Sequence, residues 1–110
     1  MICERHQVVV VPFPFHEIAV SKRRPVLVLS GREFNETNGQ TVVAMITTAK
    51  KTKWPSDTLV EDLDAAGLRT PCLVRLRLQT LPNEIIVRSL GTLAALDRLR
   101  FERQLAGMLT

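Results

Sequence analysis

A mainly β fold, a small closed or half-closed barrel carrying one C-terminal helix, is what this sequence predicts. Three observations lead there. Short β-branched runs fill the first two thirds of the chain, and turn signals separate them. From Leu93 onward the apolar spacing changes to a helical one. The length, 110 residues, supports a single core and not two, so residues 1–110 read as one domain. Five to seven short strands with one terminal helix bury their apolar faces most simply by curling into a barrel.

Strands are predicted at 8–13, 26–30 and 41–48, each rich in Val, Ile or Thr. Residues 36–39 read as a turn before the third strand, with Asn38-Gly39 suited to positive φ. Residues 50–57 form a polar loop around Trp54-Pro55, and a short extended piece follows at 58–60. Residues 62–67 read as one helical turn closed by Gly67. Segment 72–78 alternates, with Val74, Leu76 and Leu78 on one face and Leu73, Arg75 and Arg77 on the other. A last strand is predicted at 84–90. Thr92 then caps a helix whose buried stripe is Phe101, Leu105, Met108 and Leu109. Leu96 and Leu99 fall off that stripe; either the barrel covers them or another subunit does.

The net charge of +4 is concentrated in one half. Residues 1–56 hold eight Lys/Arg against four carboxylates, while residues 57–110 hold seven of each. The excess lies in two segments, 16–24 and 49–56, and such a concentration suits a polyanion. An acidic protein tail would answer the same charge. No segment reaches the roughly 18 consecutive apolar residues of a membrane span. The N-terminal MICERHQ puts charge ahead of a valine run stopped at Pro12, without a cleavage site, so a cytoplasmic protein is expected. Cys3 and Cys72 fit no zinc or redox spacing and read as free thiols.

The stretch VVVVPFPFHEIAVSKRRPVLVLS is the most informative in the chain. Lys22 and Arg23 read as the end of a loop. Arg24 stands before Pro25, which biases it towards an extended backbone. A guanidinium held this way is a planar, permanently charged fork that suits phosphate. A solvated loop end is the plainer reading of the same residues. Thr47 and Thr48 end the third predicted strand, directly before Lys50, Lys51 and Lys53. If the second and third strands share a sheet, Arg24 and Thr47 meet at one rim; a threonine at a strand end also occurs for β-propensity alone. His6 and His16 lack ligand-spaced partners and read as surface residues, and no carboxylate cluster for magnesium is apparent, so no metal or other cofactor is expected. Arginine plus hydroxyls can still cut RNA, because its 2′-hydroxyl supplies the nucleophile. The protein then has to stabilise the charge of the phosphorane and protonate the leaving 5′-oxygen. Trp54 either stacks on an unpaired base or anchors its loop on the barrel.

These residues resemble the MazF/PemK toxin family. PFPF, KRRP, AMIT, WP and AGL-P-VR occur in the family's order and spacing, from about His6 to the terminal helix. The resemblance implies an SH3-like barrel of the MazF/PemK/CcdB type with a C-terminal α-helix, acting as a homodimer. It implies a metal-independent, sequence-specific endoribonuclease that cuts single-stranded RNA to a 2′,3′-cyclic phosphate and a 5′-hydroxyl. On the matching positions, the catalytic arginine is Arg24 and the catalytic threonine is Thr47. Lys22, Arg23, Thr48, Lys50, Lys51, Lys53 and Trp54 would then hold RNA. The partners implied are messenger RNA and a cognate antitoxin protein, with operator DNA reached only through the antitoxin complex and no membrane. His6 and Gln7 stand where members usually have Gly-Asp, and Ile18-Ala19-Val20 replaces small polar residues. A gyrase-poison type of protein-binding toxin, or a weakened RNA- or DNA-binding barrel, shares the fold and remains the alternative.

Overall fold

The computed structural model describes residues 1–13, 22–49 and 53–110. The elements run β1 (Gln7–Phe13), β2 (Lys22–Val28), α1 (Arg32–Asn38), β3 (Gln40–Thr48), β4 (Thr58–Leu59), α2 (Leu63–Ala66), β5 (Cys72–Pro82), β6 (Arg88–Thr92) and α3 (Ala95–Leu109), with a 3₁₀ turn at Asn83–Ile85 before β6. All six strands form one antiparallel sheet in the order β4-β5-β3-β2-β1-β6. The sheet curls into a half-barrel and α3 lies against it, so the mainly β class with a C-terminal helix is what the chain adopts. Among the described residues no helix is long and apolar enough to cross a membrane.

Strand alternation divides the interior into two clusters. Val8, Leu27, Ala44, Ile46 and Val74 point to one side and are sealed by Phe101 of α3. Val9, Val11, Val26, Val28 and Val43 point to the other, closed by Leu81, Ile86 and Cys3. Cys3 is therefore core, and burial raises the pKa of its thiol and of Cys72's. Both cysteines are free thiols.

Several elements differ from the sequence expectation. β2 starts at Lys22, four residues earlier than predicted, and Lys22, Arg23 and Arg24 pair with Phe13, Pro12 and Val11. These cations are strand residues; their backbone joins the ladder and their side chains are exposed. Residues 36–39 belong to α1 and its cap rather than to a hairpin turn. Gly39 takes φ 66° and donates to Asn35 O, while the fully buried Asn35 amide donates to the carbonyls of Cys3 and Ser30. Asn83 explains why 84–90 is not one strand. It accepts from Thr41 Oγ1 and donates to Asn35 O, drawing the chain into the 3₁₀ turn before β6 begins at Arg88.

The single helical turn at 62–67 appears as α2, with Asp62 accepting from Ala65 N and Gly67 at φ 71°. Gly91 in β6 lies so close to α2 that a Cβ there would overlap the Ala65 carbonyl, which ties the far edge of the sheet to α2. Thr92 is the last residue of β6, not a cap; α3 begins after Ala94, which makes no side-chain cap. Asp97 instead anchors its first turn, buried and accepting from the N–H groups of Glu61 and Asp62. Of the predicted stripe, Phe101 is fully buried and Leu105 packs against the core, but Met108 and Leu109 are 44% and 72% exposed because the last turn runs past the core. Leu96 and Leu99 are exposed, so the barrel does not cover them. His6 is not a plain surface residue: it adopts φ 73° and sets Nε2 2.7 Å from Glu102 Oε2, joining β1 to α3. His16 lies outside the described residues.

Candidate functional site

The cationic site arises where β2 parts from β3. Pairing between them runs Val28↔Val43, Leu27↔Ala44, Val26↔Met45 and then stops. Pro25 follows, with no N–H to extend a ladder. Continuing the same register would set Arg24 across from Thr47. Both residues occupy the face that carries Val26 and Met45, because cross-strand partners share a face. Thr48, one residue on, points to the opposite face, beside Cys72 in register. Lys22 shares the face of Arg24 and Arg23 the reverse, and all three are exposed.

β5 adds two further arginines that sequence reasoning left without a role. Its alternation places Arg75, Arg77 and Gln79 on the same face, where Arg75 is in register with Met45 and Gln79 with Val43. Arg75 Nε and Nη2 donate to Asp57 Oδ1 and Oδ2 at 3.1 and 2.9 Å. Asp57 also accepts from the Trp54 backbone N–H, and the Arg75 guanidinium lies 5.1 Å from the centroid of the Trp54 ring. Trp54 is thus an anchored loop residue that still exposes 42% of its surface. Lys53, Trp54, Ala49 and Leu73 line an open cleft of about 520 Å³ beside it. Lys50 and Lys51 lie outside the described residues. Parity along 72–78 signalled the shared face of Arg75 and Arg77; pairing Arg75 with Asp57 needs the β4–β5 register, which composition does not reveal.

The hydrogen bonds from Arg75 hold the Asp57 carboxyl below its ordinary 3.8, against the opposing effect of burial, with help from the Trp54 N–H. A depressed folded pKa stabilises the protein fully above the unfolded value, and that stability is lost as pH falls through the folded one. Asp57→Asn is therefore expected to lower the Tm at pH 6, with the difference from wild type shrinking on acidification below about pH 3.8. Thermal unfolding followed from pH 2 to 6 checks this; a pH-independent difference would show that the ion pair does not secure the loop.

A larger open cleft of about 700 Å³ lies between α2 and the start of α3. Glu61, Asp62, Asp64 and Asp97 line it together with Arg100, which pairs with Glu61 and Asp97, so the lining stays net negative and disfavours a polyanion. The arginine face is the cationic one. Among the described residues no group of three or more His, Cys, Asp or Glu is placed to hold a metal ion.

Known proteins share this architecture. An endoribonuclease in complex with its cognate antitoxin from a mycobacterial species superimposes with a TM-score of 0.75 at 20% identity, over 97% of this chain and 94% of that one. Mycobacterium tuberculosis toxin MazF-mt6 gives 0.71 at 24% identity, over 94% and 95%. A chain of a MazE-MazF crystal structure from Deinococcus radiodurans gives 0.78 at 17% identity, over 99% and 97%. At these identities the likeness establishes the fold. No curated protein matches the chain. Residues 4–109, however, match the sequence family described as PemK-like, MazF-like toxins of type II toxin–antitoxin systems, and the match spans nearly the whole chain. The chain belongs to that PemK/MazF toxin family.

Proposed function

We propose that this protein is a metal-independent endoribonuclease that cuts single-stranded RNA at short sequences, with a cognate antitoxin as its protein partner and a homodimer as its working form. The observation that carries the reading is the position of Arg24 and Thr47, on one face of neighbouring strands at the point where pairing stops. The RNA 2′-hydroxyl loses its proton to solvent as its oxygen attacks the adjacent phosphorus, the bond to the 5′-oxygen breaks and that oxygen takes up a proton, leaving a 2′,3′-cyclic phosphate and a 5′-hydroxyl. Arg24 neutralises the charge that grows on the non-bridging oxygens and donates towards the leaving oxygen. Thr47 orients the phosphate through its hydroxyl. Lys22 and the loop lysines hold neighbouring phosphates, while Arg23, on the reverse face, does not reach the strand held at Arg24; the exposed part of Trp54 offers a surface for an unpaired base.

Cleavage of a fluorogenic oligonucleotide in excess EDTA tests the proposal. Activity is expected to persist in EDTA and to vanish when the nucleotide 5′ of the cut carries 2′-deoxyribose; products with a 5′-phosphate would overturn the mechanism. The same assay separates chemistry from holding. Thr47→Ala is expected to lower kcat with binding unchanged. Lys53→Ala is expected to leave kcat nearly constant, weaken binding at every sequence and flatten the salt slope by roughly 0.7. An equal loss of kcat from Lys53→Ala would place the loop inside the reacting site. Light scattering at micromolar concentration checks the dimer, and Leu99→Glu tests whether the exposed leucines of α3 form its interface.

A further inference from the structure

Between Ala44↔Leu78 and Met45↔Arg75 the β3–β5 register jumps by two residues, and the extra pair on β5 is Leu76 and Arg77. Such a bulge bends its strand and re-aims a side chain that regular pairing would hold flat in the ladder. Leu76 packs against the core sealed by α3, which seats the bulge, and Arg77 faces the other way. There it lines the same shallow depression as Arg24, with Gln79 beside it. The floor is Val26, Val43 and Met45. The enclosed volume is only about 20 Å³, so a ligand lies across the depression and does not sink into it.

We infer that Arg24 and Arg77 form a two-guanidinium clamp for consecutive phosphodiesters of one strand, in which Arg77 holds the phosphate next to the one at Arg24. Arg24 and Arg77 are both exposed and border one apolar surface, so an anionic strand crossing it meets two guanidiniums. A guanidinium fork meets a phosphate through two parallel hydrogen bonds, so each end of the clamp sets orientation as well as charge. Between two adjacent phosphates the strand carries one nucleoside, which the two guanidiniums bracket. Arg77 is a binding residue one phosphate away from the scissile bond, and it does not touch the reacting atoms. The clamp rests on the RNA-cleaving reading for its substrate, but its geometry requires only a single-stranded nucleic acid.

Binding without chemistry tests it. Fluorescence anisotropy with an all-deoxy, non-cleavable single-stranded oligonucleotide across a salt series is measured for wild type, Arg77→Ala, Arg77→Lys and Arg103→Ala. Arg103 is an exposed cation of α3 bordering a different cleft, and its loss changes the net charge equally. Arg77→Ala is expected to weaken binding roughly tenfold or more at low salt and to reduce the salt slope by about 0.7. Arg77→Lys should keep the slope but not the full affinity, and Arg103→Ala should change neither. Equal effects from Arg77→Ala and Arg103→Ala would reduce the clamp to bulk charge and overturn it. With ribo-oligonucleotide, Arg77→Ala should raise KM and spare kcat at saturation; a loss confined to kcat would also overturn it. If RNA is never cleaved yet Arg77→Ala alone loses deoxy-oligonucleotide binding, the clamp stands and the nuclease reading falls.

Discussion

Arg24→Ala is expected to lose RNA cleavage by a factor of about 10²–10³ while the Tm stays close to wild type. The two halves of that result have different causes. Arg24 stands at the exposed end of β2, past the last residue that pairs with β3, so its side chain contributes little to either core. Its backbone pairing with Val11 survives the substitution. On the proposed mechanism, what disappears is a charged donor to the oxygens on which negative charge develops. Arg24→Lys is expected to recover little, because an ammonium cannot bridge two phosphate oxygens as a planar fork does. Single-turnover cleavage beside thermal unfolding reads both halves; near wild-type turnover in Arg24→Ala would remove this residue from the chemistry.

Phe101→Ala is expected to cost about 3–5 kcal/mol, a large fraction of the stability of a domain of this size. Phe101 is the largest side chain that is fully buried, and it seals the cluster of Val8, Leu27, Ala44 and Val74 from the α3 side. Truncation leaves a cavity whose walls, built of paired strands, collapse only partly. Leu109→Ala, on the same helix and in the same predicted stripe, is expected to stay within about 0.5 kcal/mol because Leu109 is 72% exposed. Urea unfolding of the two variants compares them directly. Similar losses would mean that the last turn of α3 docks more firmly than its exposure indicates.

The contrast between Phe101 and Leu109 shows where periodicity stops informing. Spacing of i, i+4, i+7, i+8 assigns a face to a helix, but not the point at which the opposing sheet ends. The same holds for β2. Arg23 and Lys22 look like loop because charge is rare in strands, yet β1 supplies backbone partners up to Phe13. Asn38-Gly39 reads as a turn because Gly39 suits positive φ, and the same feature closes α1; the buried side-chain amide of Asn35, donating to Cys3 O and Ser30 O, and its carbonyl, accepting from Asn83, hold the helix in place.

Local chemistry alone made the class of fold, the position of Gly67 at a helix end, the alternation of β5 and the extended backbone of Arg24 before Pro25 readable from residue order. Each depends on neighbours within a few residues: β-branching, a positive φ, a missing N–H. Register and its interruptions belong to the folded chain. Ending β2–β3 pairing at Val26, inserting Leu76 and Arg77 into β5, and joining Arg75 to Asp57 and Trp54 all bring together residues far apart in sequence. Those juxtapositions follow from how two β-ladders and a helix share their apolar faces, because burial constrains both faces of the sheet at once and no local signal encodes that balance.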